Sequence, residues 1–426
     1  MSLKTIIGSS LGLVVLSGGL TYYTNHQYKT EVGDKIAEAN VALSPMMSLS
    51  YNVTSSGVFS VDDEITVTLN EKEMNGNASD SEQAVVKITN ACTILPLIVN
   101  CDSKLVLPSE ATAKLAEHDV AEIDYDMGWS MNYWADTIAG HFVMQPFDIN
   151  ANTNAGEAFA LNVRGIDIKF EGEAGGEALA SVGKINGMKF TAENRNFDIG
   201  LISFDSDAKR LGDQYLLGTS DMTFHKLRIN TPEEVVALDN YTINTNTTLS
   251  DDEQKLNVSA VMALEALNID AETNPLKTEL KDAKLAIELN NLNKDIFAQP
   301  MYHDEPLKQM EHVVQLLGED GLTVKLNQLS GVFNEVKLDS NAQIDVAPFT
   351  FADTQTPYGL LERVTFSLDA LASQNLVTVF ANIKPMIDQF QQQQMVIQNK
   401  EGNFTTTVKF ADGALTANDK LLRQVF

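Results

Sequence analysis

Residues 59–69 read FSVDDEITVTL, and the period of this stretch decides the architecture. Phe59, Val61, Ile65, Val67 and Leu69 are apolar, while Ser60, Asp62, Glu64, Thr66 and Thr68 are polar. Successive side chains of a strand face opposite sides, so the alternation describes a strand with one buried and one wet face. The same period returns at Leu256, Val258, Ala260, Met262 and Leu264, at Leu285, Ile287 and Leu289, and at Val364, Phe366 and Leu368. It closes the chain at Phe404, Thr406, Val408 and Phe410. Turn-forming clusters such as Asn75-Gly76-Asn77, Glu173-Ala174-Gly175-Gly176 and Asp412-Gly413 punctuate these runs. One-faced strands pair as antiparallel meanders rather than as a parallel sheet buried on both sides.

Two phase breaks refine the picture. Leu161 and Val163 give way at Gly165 to Ile166, Ile168 and Phe170, which predicts a bulge that bends the strand. Met222 and Phe224 are out of phase with Leu227 and Ile229 across His225-Lys226. Long bulged strands make a curved sheet, whose apolar concave side needs helices, another sheet or a ligand to cover it. Two helices are predicted as cover. One starts at Pro306, carries Leu307, Met310, Val313, Val314 and Leu317, and ends at Gly318. The other runs from Ala370 to Gln394 with Leu376, Phe380, Ile383, Ile387 and Phe390 on one stripe and a kink at Pro385.

The N-terminus carries a different signal. Thr5 to Tyr23 is uncharged, follows Lys4, and ends in Tyr22-Tyr23. At about 1.5 Å per residue it just crosses a hydrocarbon core of about 30 Å, with the tyrosines at the interface. A cleaved secretory signal, with small residues at Ser17-Gly18-Gly19, is the alternative. Gly8 and Gly12 form a G-x-x-x-G through which two such helices would pack as a homodimer. Val32, Ile36 and Ala39 then recur at helical spacing until Ser44-Pro45. The expected organisation is an anchor over 1–23, a stalk or linker helix over 24–44, a β-rich region over 45–290 and a second β-rich region with two helices over 291–426. The fold class is mainly β with some α: an N-terminal transmembrane helix followed by a curved, largely antiparallel β-sheet assembly with two packing helices.

Charge narrows the partners. The 426 residues hold 30 Lys+Arg against 58 Asp+Glu, a net charge of −28. Such an excess repels phosphate backbones, so no nucleic-acid partner is expected. The expected partners are the membrane, through residues 5–23, and another protein or a lipid. The two cysteines, Cys92 and Cys101, flank Pro96 and are either a disulfide closing a small loop or two buried thiols.

The search for chemistry returns little. H-E-x-x-H, Walker and G-x-G-x-x-G motifs are missing from the sequence, and no G-x-S-x-G nucleophile elbow is expected. His303-Asp304-Glu305 with Glu311-His312 has ligand types suited to a divalent metal, but an ordinary helix start explains it. Acidic runs such as Asp62-Asp63-Glu64 read as solvated faces. No catalytic residue, metal site or cofactor is expected, and the protein is not expected to be an enzyme; a hydrolase acting on envelope glycan is the least favoured reading. Trp129, Trp134 and Phe142 are the candidate lining of a groove for a hydrophobic ligand, with ordinary core packing as the alternative.

Several of these stretches together resemble the YdgA-like family of proteobacterial membrane-anchored proteins. They are the span ending in Tyr22-Tyr23, Tyr51 followed by Gly57-Val58-Phe59-Ser60 and a long alternating strand, and the ending from Asn403 to Asn418. The resemblance spans nearly the whole chain and departs from the family pattern at Cys92-Thr93-Ile94-Leu95-Pro96-Leu97. It implies an inner-membrane anchor, a periplasmic β-rich body and no assigned activity. The expectation is a non-catalytic envelope scaffold or interaction factor, with a lipid or other hydrophobic-ligand carrier as the alternative.

Overall fold

The alternating runs form strands, and the strands are long. A computed structural model of the chain describes residues 3–43, 47–69, 84–117, 123–152, 158–212, 214–271, 277–298, 306–355 and 358–425, with side chains described from Gly19 onward except at 38, 41–43, 69, 84, 111, 114, 152, 214–216, 297–298, 306–310 and 313. The chain divides into two compact units, Met1–Thr153 with Ala160–Ile185 and Asn154–Phe159 with Asn186–Phe426.

Up to Ile185 the chain forms α1 (Leu3–Leu43), β1 (Met47–Ser56), β2 (Ser60–Leu69), β3 (Ala84–Leu95), β4 (Ile98–Val106), α2 (Ser109–Glu117), β5 (Tyr125–Asn132), β6 (Thr137–Met144), β7 (Phe147–Asn152), β8 (Ala158–Val163), β9 (Ile166–Glu173) and β10 (Ala178–Ile185). In the first unit β1 to β6 pair in sequence as an antiparallel meander, and β9 and β10 extend it beyond β6. Gly165 does not bulge a single strand. It stands at φ 94 between β8 and β9, so the phase flip marks a turn between strands.

Along the buried face the register sets residues in rows. Ile94, Val99, Met131 and Ile138 form one row; Val61, Cys92, Cys101, Trp129 and Gly140 form the next. Val61, Ile94 and Val99 are fully buried and belong to the core cluster with Tyr28 of α1. Phe59 leaves this pattern. The Gly57 N–H donates to the Ser60 carbonyl and closes the β1–β2 turn, which strands Phe59 at the tip with 60% of its surface exposed.

Residues 24–43, read from sequence as a stalk, are part of α1 and lie on the sheet. Thr21, Thr24, Asn25 and Tyr28 are buried and Val32 packs on the core, a spacing that puts all five on one helix face. Among the described residues no helix is long and apolar enough to cross a membrane. Most of the expected span, including Gly8 and Gly12, falls on residues 5–18, whose side chains lie outside the described ones.

The second unit contains β11 (Met188–Ala192), β12 (Arg195–Ile199), β13 (Ile202–Leu211), β14 (Gln214–Asn230), β15 (Glu234–Leu249), β16 (Lys255–Ala271), β17 (Thr278–Asn293), α3 (Pro306–Gly318), β18 (Leu322–Phe333), β19 (Val336–Val346), β20 (Val364–Ala372), α4 (Lys384–Gln392), β21 (Ile397–Gln398), β22 (Phe404–Ala411), β23 (Ala414–Ala417) and β24 (Lys420–Gln424). β14 to β20 pair in order and antiparallel, followed by β22, β23 and β24. The phase break at His225-Lys226 has a topological cause. β14 pairs with β13 as far as Phe224 and with β12 from Leu227, changing partner along one edge.

The helix expected over Ala370–Gln394 is a correction. Ala370 to Ala372 finish β20, and the rest is a helical turn at Leu376–Val379, a 3-10 turn at Ala381–Ile383, and α4. The β-branched run Val377-Thr378-Val379 is a poor helix interior, and Pro385 starts a helix instead of kinking one because its missing N–H costs nothing in a first turn.

Candidate functional site

Two places in the described residues concentrate features that folding alone does not demand. The first is a polar row inside the core of the first unit. Asp63, Asn90 and Ser103 occupy directly opposed positions on β2, β3 and β4, on the same face as Val61 and Cys92, and all are buried. Ser103 Oγ donates to Asn90 Oδ1 at 2.6 Å, and Asn90 Nδ2 donates to Asp63 Oδ1 at 2.6 Å. From α1, Tyr28 Oη donates to Asp63 Oδ2 at 2.5 Å, and Tyr51 Oη reaches the same oxygen at 3.4 Å. Every donor in this chain points toward one carboxylate, which is how a buried acceptor is satisfied without a cation.

Burial and the Asp63 carboxylate beside it push the Tyr28 phenol far above its ordinary range, and the same causes raise Tyr51. Burial and the neighbouring Glu31 raise Tyr133. Cys92 and Cys101, opposed on β3 and β4, are joined by a disulfide whose sulfurs lie 3.4 Å and 3.9 Å from Tyr28 Oη. A carboxylate whose two oxygens already accept from the chain's own donors, beneath a helix, offers nothing to a substrate. Its chemistry is to hold α1 down. Other bonds assist: Asn25 Nδ2 donates to the Gly57 carbonyl at 2.9 Å, and Asn40 exchanges two bonds of 2.6 Å with the Leu49 backbone on β1.

The second place is a cavity of about 430 Å³ in the second unit. Its floor is two rows of the sheet: Gly331, Leu338, Ala372 and Phe404, then Leu329, Ser340, Ala370 and Thr406. Small residues at four of these eight positions leave the space. Register shifts at Lys281/Lys284 and Leu326/Leu329 bend the strands beside it. Its roof is Leu376 and Ile387, from the helical segment that Phe380 pins to β18 by stacking on Phe333 at 5.7 Å between ring centres. Solvent reaches it, since Leu329 is 48% and Leu338 39% exposed. A partly open, overwhelmingly apolar space of this size is the form of a hydrophobic-ligand site.

The residues read from sequence as a groove lining do not line it. Trp129 packs on the core of the first unit, its ring 5.6 Å from Tyr28, with Gly140 opposite it on β6. A Cβ on Gly140 would lie 2.4 Å from the Phe170 ring, so only glycine lets that ring cross the strand. Phe142 shares the face of Trp129 and packs against Tyr125 at 6.2 Å. Trp134 is at the β5–β6 turn and 85% exposed. His303 to Glu305, three of the five residues of the histidine–carboxylate group, lie outside the described residues.

Over residues 2–423 the chain matches the family described as bacterial protein of unknown function, DUF945. It belongs to that family. No curated protein and no solved structure matches it. The DUF945 description assigns no reaction, ligand or compartment, so the geometry above carries the functional argument.

Proposed function

We propose that this DUF945 protein is a single-pass protein of the inner membrane, held by residues 5–23 with its body in the periplasm, and that the body carries a hydrophobic ligand of the acyl-chain class without transforming it. The ligand reading rests on one observation, the apolar cavity between the small-residue rows of β18 to β22 and Ile387 of α4. The tether is supported by the uncharged run Thr5–Tyr23 and by the resemblance to the YdgA-like membrane-anchored proteins. We place the ligand reading ahead of a pure contact scaffold because a scaffold gains nothing from small residues that leave a space beneath the roof, and an unfilled apolar space costs packing energy.

The test uses full-length protein purified from membranes in a mild detergent. Mass spectrometry of its organic extract is expected to show bound lipid, and an apolar fluorophore such as N-phenylnaphthylamine is expected to bind and be displaced by fatty acid. Ser340→Phe, in the middle of the cavity floor, should abolish both. Equal lipid content and equal fluorophore binding in wild type and variant would refute the ligand reading.

A further inference from the structure

Three hairpin turns of the first unit close at the same end of its meander: β1–β2, β3–β4 and β5–β6. Each carries an exposed apolar tip. Val58 and Phe59 are 51% and 60% exposed, Leu95 42% and Trp134 85%. Polar turns are the rule, because a tip buries nothing and an apolar one leaves its surface in water. Four exposed apolar side chains on three neighbouring turns therefore need a common occupant.

Hydrogen bonds fix where these turns sit on α1. The Gly57 carbonyl accepts from Asn25, and the Leu97 N–H donates to Thr24 Oγ1 at 2.8 Å. The Tyr133 N–H donates to the Leu97 carbonyl at 2.8 Å, and the Ile94 N–H to the Phe59 carbonyl at 2.8 Å. All three turns are thus tied to the level of residues 24–25. About one helical turn earlier stand Leu20, Tyr22 and Tyr23, themselves 42%, 71% and 54% exposed, at the end of the uncharged run. Asn40 grips Leu49 at the far end of β1, so α1 leaves the sheet on the side of the tips, toward its own apolar half.

We propose that these tips, carrying Val58, Phe59, Leu95 and Trp134, are seated in the interfacial layer of the same bilayer that holds residues 5–23. The inference rests on the tether proposed above and adds that the first unit rests on the membrane instead of hanging from it. The occupant is lipid because the tips continue the surface begun by Tyr22 and Tyr23, and an indole at a turn tip suits the headgroup boundary, where its ring is buried and its N–H wetted. Attraction to anionic lipid plays no part. A net charge of −28 and the fourth turn at this end, with Glu173 and Glu177, oppose it, so contact is through apolar burial and should survive high salt.

The experiment reconstitutes the full chain into zwitterionic phosphatidylcholine vesicles containing brominated lipid, and compares wild type with Trp134→Phe. The exposed site tolerates that change, and Trp129, half-buried against the core, remains as the internal control. Brominated lipid is expected to remove roughly half of the wild-type emission, that of one of two tryptophans, and little from the variant. Wild-type emission quenched by aqueous acrylamide and untouched by brominated lipid, in protein that floats with the vesicles, would overturn the seating while leaving the tether intact. Such a result would assign the tips to a protein partner. Failure to float would overturn the tether and the seating with it.

Discussion

Replacing Tyr28 by Phe removes one oxygen and keeps the ring. The ring is fully buried and packs on Trp129, so that contact survives, and what is lost is the 2.5 Å donation to Asp63 Oδ2. A hydrogen bond to a charged acceptor is worth about 1.5–3 kcal/mol. Asp63 keeps Asn90 on its other oxygen and the longer bond from Tyr51, so it is weakened and not orphaned. The middle of that range, about 2 kcal/mol, is the expected cost. Two units make global unfolding a poor readout, because a single transition is not assured. Hydrogen exchange of the amides over 24–40 reads the undocking of α1 directly, and about 2 kcal/mol corresponds to exchange roughly thirty-fold faster there. Asp63→Asn on its own should also loosen α1. Combining the two should cost about 1–2 kcal/mol less than the sum, since both act on one bond. Unchanged exchange over 24–40 in Tyr28→Phe, or strict additivity in the double variant, would refute the claim that this pair holds the helix.

Replacing both cysteines by Ser opens the loop between β3 and β4, and chain entropy sets the cost at about 2.5 kcal/mol; urea denaturation followed by the emission of Trp129, paired opposite Cys101, would report it. Phenols raised in the fold favour the neutral form, so the stability held by Tyr28, Tyr51 and Tyr133 is complete below the ordinary value of about 10 and falls as pH rises above it. Spectrophotometric titration should show these three ionising only as the first unit unfolds, and Tyr28→Phe should shift the alkaline transition. Ile387→Ala, at the buried roof of the cavity, should cost about 2–5 kcal/mol and let larger acyl ligands bind, seen as a lowered thermal midpoint with a wider ligand range.

Much of the fold was legible because it rests on local period. The alternating runs are strands, Pro306 and Gly318 bound α3 as their chemistry requires, and the break at His225-Lys226 marks where β14 changes partner. What stayed hidden depends on register. In FSVDDEITVTL, Asp63 stands at the phase of Val61 and Ile65, an acid on the inward side of the strand. That was the visible sign of the buried row. Asn90 on β3 and Ser103 on β4 join it only once the strands are aligned, and Tyr28 only once α1 is laid on the sheet. The cavity was less legible still. Gly331, Ser340, Ala370 and Ala372 are unremarkable in sequence and make a space only as neighbours on adjacent strands. Trp129 and Trp134 drew attention as the two largest side chains, but five positions apart they lie in a strand and in a turn, with opposite surroundings.

The way α1 is fastened has a consequence for biosynthesis. Thr24 and its partner Leu97 are 73 positions apart, and the same separation divides Tyr28 from Cys101. Emerging at about 5–20 residues per second, the segment that α1 must clasp arrives roughly 4–15 s after it. Throughout that interval the lodging face of the helix, Thr21, Thr24, Asn25 and Tyr28, stands bare; under the tether proposed above, this is also when the uncharged run ahead of it would enter lipid. Oxidation of Cys92 with Cys101 belongs to the end of the same interval, because the tyrosine hydroxyl closes over both sulfurs once the helix settles. Thiol oxidation and helix seating thus fall in that order, and protein made short of thiol oxidant should accumulate with its helix unclasped.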